Sequence, residues 1–301
     1  MMKKTVVGIG EALWDCLPEG RKFGGAPTNF AYHCGQFGLQ SYAISALGND
    51  ALGDEIADIC HQKGQQAIMP RVPYETGTVQ VTLDQQGIPQ YEIRQNVAWD
   101  HIPYNPQMEA LASQADAVCW GSLAQRSAES RQTIGRFLQA MPQSALRVFD
   151  INLRQTFYTL DIIEGSLQAC NVLKINDEEL IVLSRLLGKH DKAFSMPQPE
   201  VLVQLPPRLI SAYGLDLLIL TCGAEGSYTF LPDGTCSFLE TPRVEVADTV
   251  GAGDSFTAAF VSMLLLGASV QESHRRAVDV SAYVCTQHGA MPTLPKELVD
   301  M

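Results

Sequence analysis

The segment AspThrValGlyAlaGlyAspSerPhe, residues 248–256, runs straight into an apolar helical stretch. Small residues at such a turn let backbone N–H groups crowd around an anion, and the helix N-terminus adds positive dipole. Asp254 puts an acid at the same turn, where a ligand would normally supply the negative group. A cradle of residues 251–253 with a carboxylate inside it suits phosphoryl transfer: the cradle holds developing phosphate charge, and the carboxylate takes a proton from an attacking hydroxyl. The plainer reading is a tight turn followed by an Asp-Ser cap.

The rest of the chain alternates strand and helix patterns, which predicts a mostly parallel sheet covered by helices. Residues 5–10 read as a buried strand, 27–37 as a helix and 41–46 as a strand. Asn49 or Asp50 caps a helix whose apolar residues Leu52, Ile56, Ile59 and Cys60 recur at helical spacing. Further strands are predicted at 117–121, 147–151, 172–175 and 217–221, and helices at 127–140, 160–170, 252–266 and 270–287. Pro232-Asp233-Gly234 marks a hairpin turn, and residues 188–200, polar and rich in breakers, read as a surface loop. The alternation breaks at 77–95, where two period-two runs flank Gln85-Gln86-Gly87 and predict an antiparallel hairpin. Its apolar face needs a partner. Trp99, just beyond it, either stacks on a ligand or a partner or packs in the core.

With 301 residues the chain can bury a large core, as one big α/β domain or as two domains. Charged residues make up 18%, below the usual ~25%, which fits an extensively buried sheet. The net charge of −12 and the lack of a Lys/Arg cluster argue against a nucleic-acid partner. The same charge repels a nucleotide at long range, so any nucleotide site must be built locally from amide dipoles, a metal ion and a few cations. The eight cysteines are never closer than fourteen positions, so no zinc spacing exists. They read as reduced packing residues of a cytoplasmic protein. No apolar run suits a signal peptide or a membrane span.

Residues 248–256 resemble the C-terminal signature of the PfkB, or ribokinase, family of sugar and nucleoside kinases. PheGlyGlyAlaProThrAsnPheAla, residues 23–31, resembles its N-terminal signature. The two occur in the family's order, and the likeness extends over essentially the whole chain. It implies an α/β, ribokinase-like three-layer αβα fold with a mostly parallel sheet. It further implies a single domain over 1–301, with a small β-sheet lid drawn from about 11–25 and 71–100, clasped by a second lid in a homodimer. The hairpin at 77–95 would then belong to that lid; otherwise it is an ordinary edge of the main sheet. The implied activity is transfer of the γ-phosphate of ATP to a sugar hydroxyl, with Mg²⁺ and a K⁺ ion as further cofactors. The motifs stand nearest the fructokinase branch. A 2-keto-3-deoxygluconate kinase, another ribokinase relative, a non-catalytic sugar-binding regulator and a nucleotide-binding structural protein are the alternatives.

The resemblance assigns roles residue by residue. Asp254 is the catalytic base, and the amides of Gly251, Ala252 and Gly253 form the anion hole. Asp15, Gly25 and Asn29 hold the sugar; Asn29 has the donors and acceptor that a polyol requires. Arg154, in AspIleAsnLeuArg, offers a donor fork to sugar or phosphate. Lys174, Asn176, Thr221, Gly223, Gly226 and Gly253 face ATP. Glu179, with Asn176, positions Mg²⁺ through water, although Asn176 and Glu179 also read as a plain capping box. Asp248 is the candidate ligand of a monovalent cation, and 288–290 resemble the loop beside adenine. Competing phosphate motifs are missing: there is no Gly-x-x-x-x-Gly-Lys-Ser/Thr, and Leu13 stands where the dinucleotide fingerprint needs a third glycine.

Overall fold

The structure is a computed structural model that describes residues 3–17, 20–83 and 89–300. The first half runs β1 (Thr5–Ile9), β2 (Leu13–Leu17), β3 (Gly20–Gly24), α1 (Ala26–Gln36), β4 (Gln40–Ile44), β5 (Leu47–Gly48), α2 (Ala51–Gln62), β6 (Gln66–Ile68), β7 (Arg71–Val72), β8 (Gly77–Leu83), β9 (Pro89–Ile93), α3 (Pro106–Ala112), β10 (Ala117–Trp120) and α4 (Ala128–Ala140). The second half runs β11 (Leu146–Asp150), α5 (Leu160–Ala169), β12 (Val172–Asn176), α6 (Asp177–Gly188), α7 (Gln198–Tyr213), β13 (Leu217–Thr221), β14 (Ser227–Phe230), β15 (Cys236–Leu239), α8 (Ala252–Leu265), α9 (Val270–Cys285) and α10 (Lys296–Val299).

Among the described residues, the main sheet has the order β15-β14-β13-β12-β11-β10-β1-β4-β6. Every pairing from β6 to β13 is parallel, and β14 and β15 extend the far edge antiparallel. The central strands are apolar toward both faces, as a sheet covered on both sides requires. On one face Trp120, Phe149 and Leu173 pack with Phe137, Leu167, Leu183 and Leu209 of α4 to α7. On the other, Val6, Val148 and Ile219 pack with Phe30, Phe260 and Val280 of α1, α8 and α9. The three layers match the architecture expected from the alternating pattern.

The hairpin at 77–95 is not an edge of the main sheet. It belongs to a separate sheet of order β3-β2-β8-β9, in which β2 pairs in parallel with β8. The turn expected between β8 and β9 lies outside the described residues. The chain itself covers part of the hairpin's apolar face, since Leu13, Val79 and Ile93 join the core. Trp14 reaches back from β2, its Nε1 donating to Leu52 O at 3.0 Å.

Several sequence expectations are refined. Asp50, not Asn49, caps α2, its Oδ1 accepting from Gly53 N at 2.8 Å. Trp99 is core: it is 1% exposed, Gly77 lies against its indole, and Arg126 stacks 4.0 Å above its ring. The loop expected at 188–200 is shorter, because α6 runs to Gly188, α7 starts at Gln198 and Phe194 is buried between them. Cysteines 34, 60, 119 and 170 are buried as expected, but Cys236 is exposed. No helix of the described residues is long and apolar enough to cross a membrane.

One close approach brings the N-terminal signature to the sheet. A Cβ on Gly8 of β1 would lie 1.9 Å from Pro27 O at the start of α1. Gly8→Ala is therefore expected to force the strand and helix apart and to cost about 1–3 kcal/mol by overpacking. Urea unfolding checks this; an unchanged midpoint would count against the packing described.

Candidate active site

Glycine conformations shape both signature loops. Gly25, at the N-cap of α1, has φ +120°, and a Cβ there would lie 2.3 Å from Glu11 O. Gly251, at the N-cap of α8, has φ +78°, and its Cβ would lie 2.7 Å from Ala290. Both positions combine a left-handed-side backbone with a tight neighbour, so a side chain is excluded twice over. Beyond Gly251, the Ala252 amide donates to Thr249 O at 3.3 Å. The amides of Gly251 and Gly253 have no acceptor among the described residues. They stand at the helix N-terminus, the arrangement that favours an anion.

The two signatures meet in one bond. Asn29 Nδ2, in the first turn of α1, donates to Asp254 Oδ2, in the first turn of α8, at 2.7 Å across 225 positions of sequence. Asn29 is 3% exposed and its Oδ1 has no partner among the described groups. Burial raises Asp254 to about 6, with Asp150 adding to the rise and Asn29, Lys174 and Arg154 opposing it. An acid so poised is ionised near neutral pH and remains basic enough to accept a proton.

Beneath the α8 loop lies a buried ion pair. Lys174 Nζ of β12 meets Asp150 Oδ1 of β11 at 3.1 Å, and Thr257 Oγ1 of α8 donates to Asp150 Oδ2 at 3.0 Å. Burial works against the Lys174 charge, yet Asp150, Glu179 and Asp254 raise it overall. A Cβ on Gly253 would lie 3.1 Å from Lys174 Nζ, so the ammonium supports the loop from below while committed to Asp150.

Around this centre, Asp15 sits on β2 of the small sheet and burial raises it to about 6. Arg154 is exposed and donates to Leu153 O at 3.3 Å. Its positive charge nevertheless reaches Asp15, Asp254 and Glu11, lowering each. Asn176 and Glu179 do form a capping box. Glu179 Oε2 accepts from Asn176 N at 3.0 Å, and its Oε1 takes Leu153 N at 2.8 Å. Thr221 lies beside Asn176 in the β12–β13 register, and Gly223 and Gly226 follow with φ +54° and +135°. These three stand along the strand ends, and no hydrogen bond among the described residues joins them to Asp254.

Asp248 is surrounded by donors of the chain itself. Its Oδ2 accepts from Lys22 Nζ at 3.0 Å and Gly289 N at 3.1 Å, and its Oδ1 from Val250 N at 3.0 Å. Burial raises its pKa, but these donors outweigh it and hold the carboxyl below the usual range. The cation facing Asp248 is thus the chain's own Lys22, from β3 of the small sheet. The described residues contain no cluster of His, Cys, Asp or Glu that could hold a metal. A magnesium ion would fit here only as one that brings water and phosphate oxygens with it. Glu11, Asp150, Thr257 and Lys22 are the site residues that the motifs did not single out.

A family profile described as pfkB family carbohydrate kinase matches residues 19–297. An ATP-dependent 6-phosphofructokinase of Thermoanaerobacterium thermosaccharolyticum is 26% identical, over 97% of this chain and 91% of that protein. A fructokinase of Salmonella typhimurium is 27% identical, over 98% of this chain and 97% of that one. The crystal structure of a fructokinase with bound ATP from Xylella fastidiosa superposes with a TM-score of 0.84 at 22% identity, covering 99% of this chain and 97% of that one. The fold is ribokinase-like.

The raised pKa of Asp254 has a stability consequence. The folded state holds its proton up to about 6, whereas an ordinary Asp loses it near 3.8, so stability falls as pH rises through that window and stays lower above it. Asp254→Asn is expected to stabilise the chain by on the order of 1–3 kcal/mol at about pH 8 and by much less at about pH 4. Chemical denaturation at both values checks this; equal shifts at both would contradict it.

Proposed function

The chain belongs to the pfkB family of carbohydrate kinases, phosphotransferases with an alcohol group as acceptor, and on that premise we propose that it transfers the γ-phosphate of ATP to a hydroxyl of fructose. The observation that carries the reading is Asp254, half-buried in the first turn of α8 and bonded to Asn29 of the other signature. In this reading a sugar hydroxyl attacks the γ-phosphorus in line and Asp254 accepts its proton. The amides of Gly251, Ala252 and Gly253 face the phosphoryl oxygens, with that of Ala252 leaving Thr249 O to do so, and the N-terminal dipole of α8 assists them. Lys174 adds positive charge from beneath. Glu179, backed by two main-chain N–H donors, would hold a water of a Mg²⁺ ion brought in with the triphosphate, and that ion would supply positive charge to the phosphate oxygens. Asn176, Thr221, Gly223 and Gly226 line the nucleotide's path along the strand ends.

On the sugar side we assign Asp15, Gly25, Asn29 and Arg154. The small sheet serves as a lid on a single kinase domain, and lids of two chains pair in a homodimer. A monovalent cation at Asp248 would have to compete with Lys22, whose ammonium lies 3.0 Å from the same carboxylate. The reduced cysteines fit a cytoplasmic enzyme. Fructose is favoured by the fructokinase relative; the phosphofructokinase relative makes a phosphorylated fructose the second reading, for which Arg154 would supply the phosphate-binding fork.

A coupled ADP-release screen with fructose, fructose 6-phosphate, ribose, tagatose, adenosine and 2-keto-3-deoxygluconate decides among these. The expected outcome is the highest kcat/KM for fructose; no sugar-stimulated release would favour a non-catalytic sugar-binding protein. Asp254→Asn is expected to keep ATP binding and lose roughly 10²–10⁴-fold in turnover. Asp15→Ala is expected to raise the KM for sugar far more than that for ATP, since a buried polar site that loses one partner discriminates strongly. Light scattering tests the pairing: a monomeric mass at assay concentration rules out the dimer.

A further inference from the structure

Lys22 is a cation that the proposed transfer does not use, and it stands between two parts of the site. Its strand, β3, pairs antiparallel with β2, and the register sets Lys22 opposite Asp15. Gly24 of the same strand lies against Asp15, where a Cβ would come within 3.1 Å of Oδ2. From this strand the Lys22 ammonium reaches across to Asp248 Oδ2 at 3.0 Å, where the Asp248 side chain is only 14% exposed.

Asp248 gathers two loops. Its Oδ1 accepts from Val250 N, one residue before the N-cap of α8, and its Oδ2 from Gly289 N. The main chain ahead of it is fixed as well, since Ala247 N and Asp248 N both donate to Cys285 O at the end of α9. The loop at 288–290 in turn packs on Gly251, whose Cβ would lie 2.7 Å from Ala290, and Ala290 O meets His33 Nε2 of α1 at 2.9 Å. The Gly251 turn is thus held in place through Asp248. Two amide donors do not cancel a carboxylate's charge, and a bare carboxylate three residues ahead of an anion-facing turn opposes any phosphate brought there. Lys22 supplies the charge that cancels it.

Resting on the reading of residues 251–254 as the phosphate-facing turn, we propose that Lys22 is a positioning residue of the transfer: its ammonium is the resident cation of the Asp248 loop, supplied by the small sheet in place of a bound monovalent ion. In this role Lys22 touches neither sugar nor phosphate and acts through Asp248. The transfer then needs no added monovalent ion, and acquires a need for one when the ammonium is removed. Lysine carries a compact point charge. An ammonium or potassium ion has the same charge and a similar size, so either refills the place that Lys22→Ala opens. Choline is too bulky to do so.

Two measurements on the full chain test this. The first is kcat/KM for ATP with the best acceptor of the screen, in choline chloride and in ammonium or potassium chloride at equal ionic strength. The parent should be indifferent to the salt. Lys22→Ala should lose roughly 10–100-fold in choline chloride, the range that a charge-assisted hydrogen bond is worth, and recover most of it in ammonium or potassium chloride. In an Asp248→Asn background Lys22→Ala should cost little more, because the carboxylate it serves is gone. A parent that potassium activates, a Lys22→Ala chain with parental kcat/KM, a loss that neither ion restores, or a loss that adds in full to that of Asp248→Asn overturns the proposal. The second measurement is amide hydrogen exchange read by mass spectrometry, which needs no turnover. Segments 247–252 and 287–291 should exchange faster in Lys22→Ala and slow again in ammonium chloride, with α4 and α5 unchanged. If Lys22→Ala does not fold, Lys22→Met, which keeps the side-chain stem, takes its place with exchange of the two loops as the readout. Equal exchange in parent and variant refutes the role whatever the screen shows. Faster loop exchange in a chain whose parent releases no ADP would keep Lys22 as the loop's cation and overturn only the kinase reading.

Discussion

The buried ion pair between Lys174 and Asp150 is the contact on which the rest of the site depends. It joins the ends of two adjacent parallel strands, and Thr257 ties the first turns of α8 to the same carboxylate. Both side chains are under a tenth exposed, so neither charge is relieved by water. A pair of this kind adds little net stability, but removing one partner strands the other and is strongly destabilising. What the pair supplies is position: a fixed positive charge beneath Gly253 and a fixed first turn for Asp254. In a chain of net charge −12, a site for a polyanion cannot rely on long-range attraction. It needs local charge held in place, and this pair holds it.

The glycines do the complementary work of bringing backbone close. Gly8 admits the start of α1 onto β1, Gly25 admits the Glu11 carbonyl, and Gly251 admits Ala290. With those three approaches, two segments 225 positions apart meet at Asn29 and Asp254. The small sheet is tied to the same assembly through Lys22, whose ammonium reaches Asp248 just ahead of the α8 turn.

The sequence made the α/β alternation legible because apolar parallel strands and capped amphipathic helices leave strong local patterns. The capping box at Asn176 and Glu179 and the helix starting near Gly251 are local in the same sense. What stayed hidden was set by tertiary contact. Pro206 and Pro207 lie inside α7, where proline normally argues against a helix. Phe194 is buried in a stretch whose polar composition reads as surface. Trp99 offered two readings, and only the position of Arg126 and Gly77 around it decides for the core. Lys22 stands in an unremarkable strand, and nothing local signals its partner 226 positions away.

Glu11 was hidden for a different reason. An acid at the end of an apolar strand reads as the strand's exit into solvent, because exposed carboxylates at strand ends are common. Its burial follows from the same glycine approach that places Asn29, so the signal lay in Gly25 rather than in Glu11 itself. Burial raises Glu11, Asp15 and Asp254 alike, while Arg154 is the cation that lowers all three. Arg154 is exposed, so bound ligand that covers it would strengthen its pull on these acids by excluding water. The same covering would deepen the burial that raises Asp254, so the two effects of a bound ligand oppose each other there.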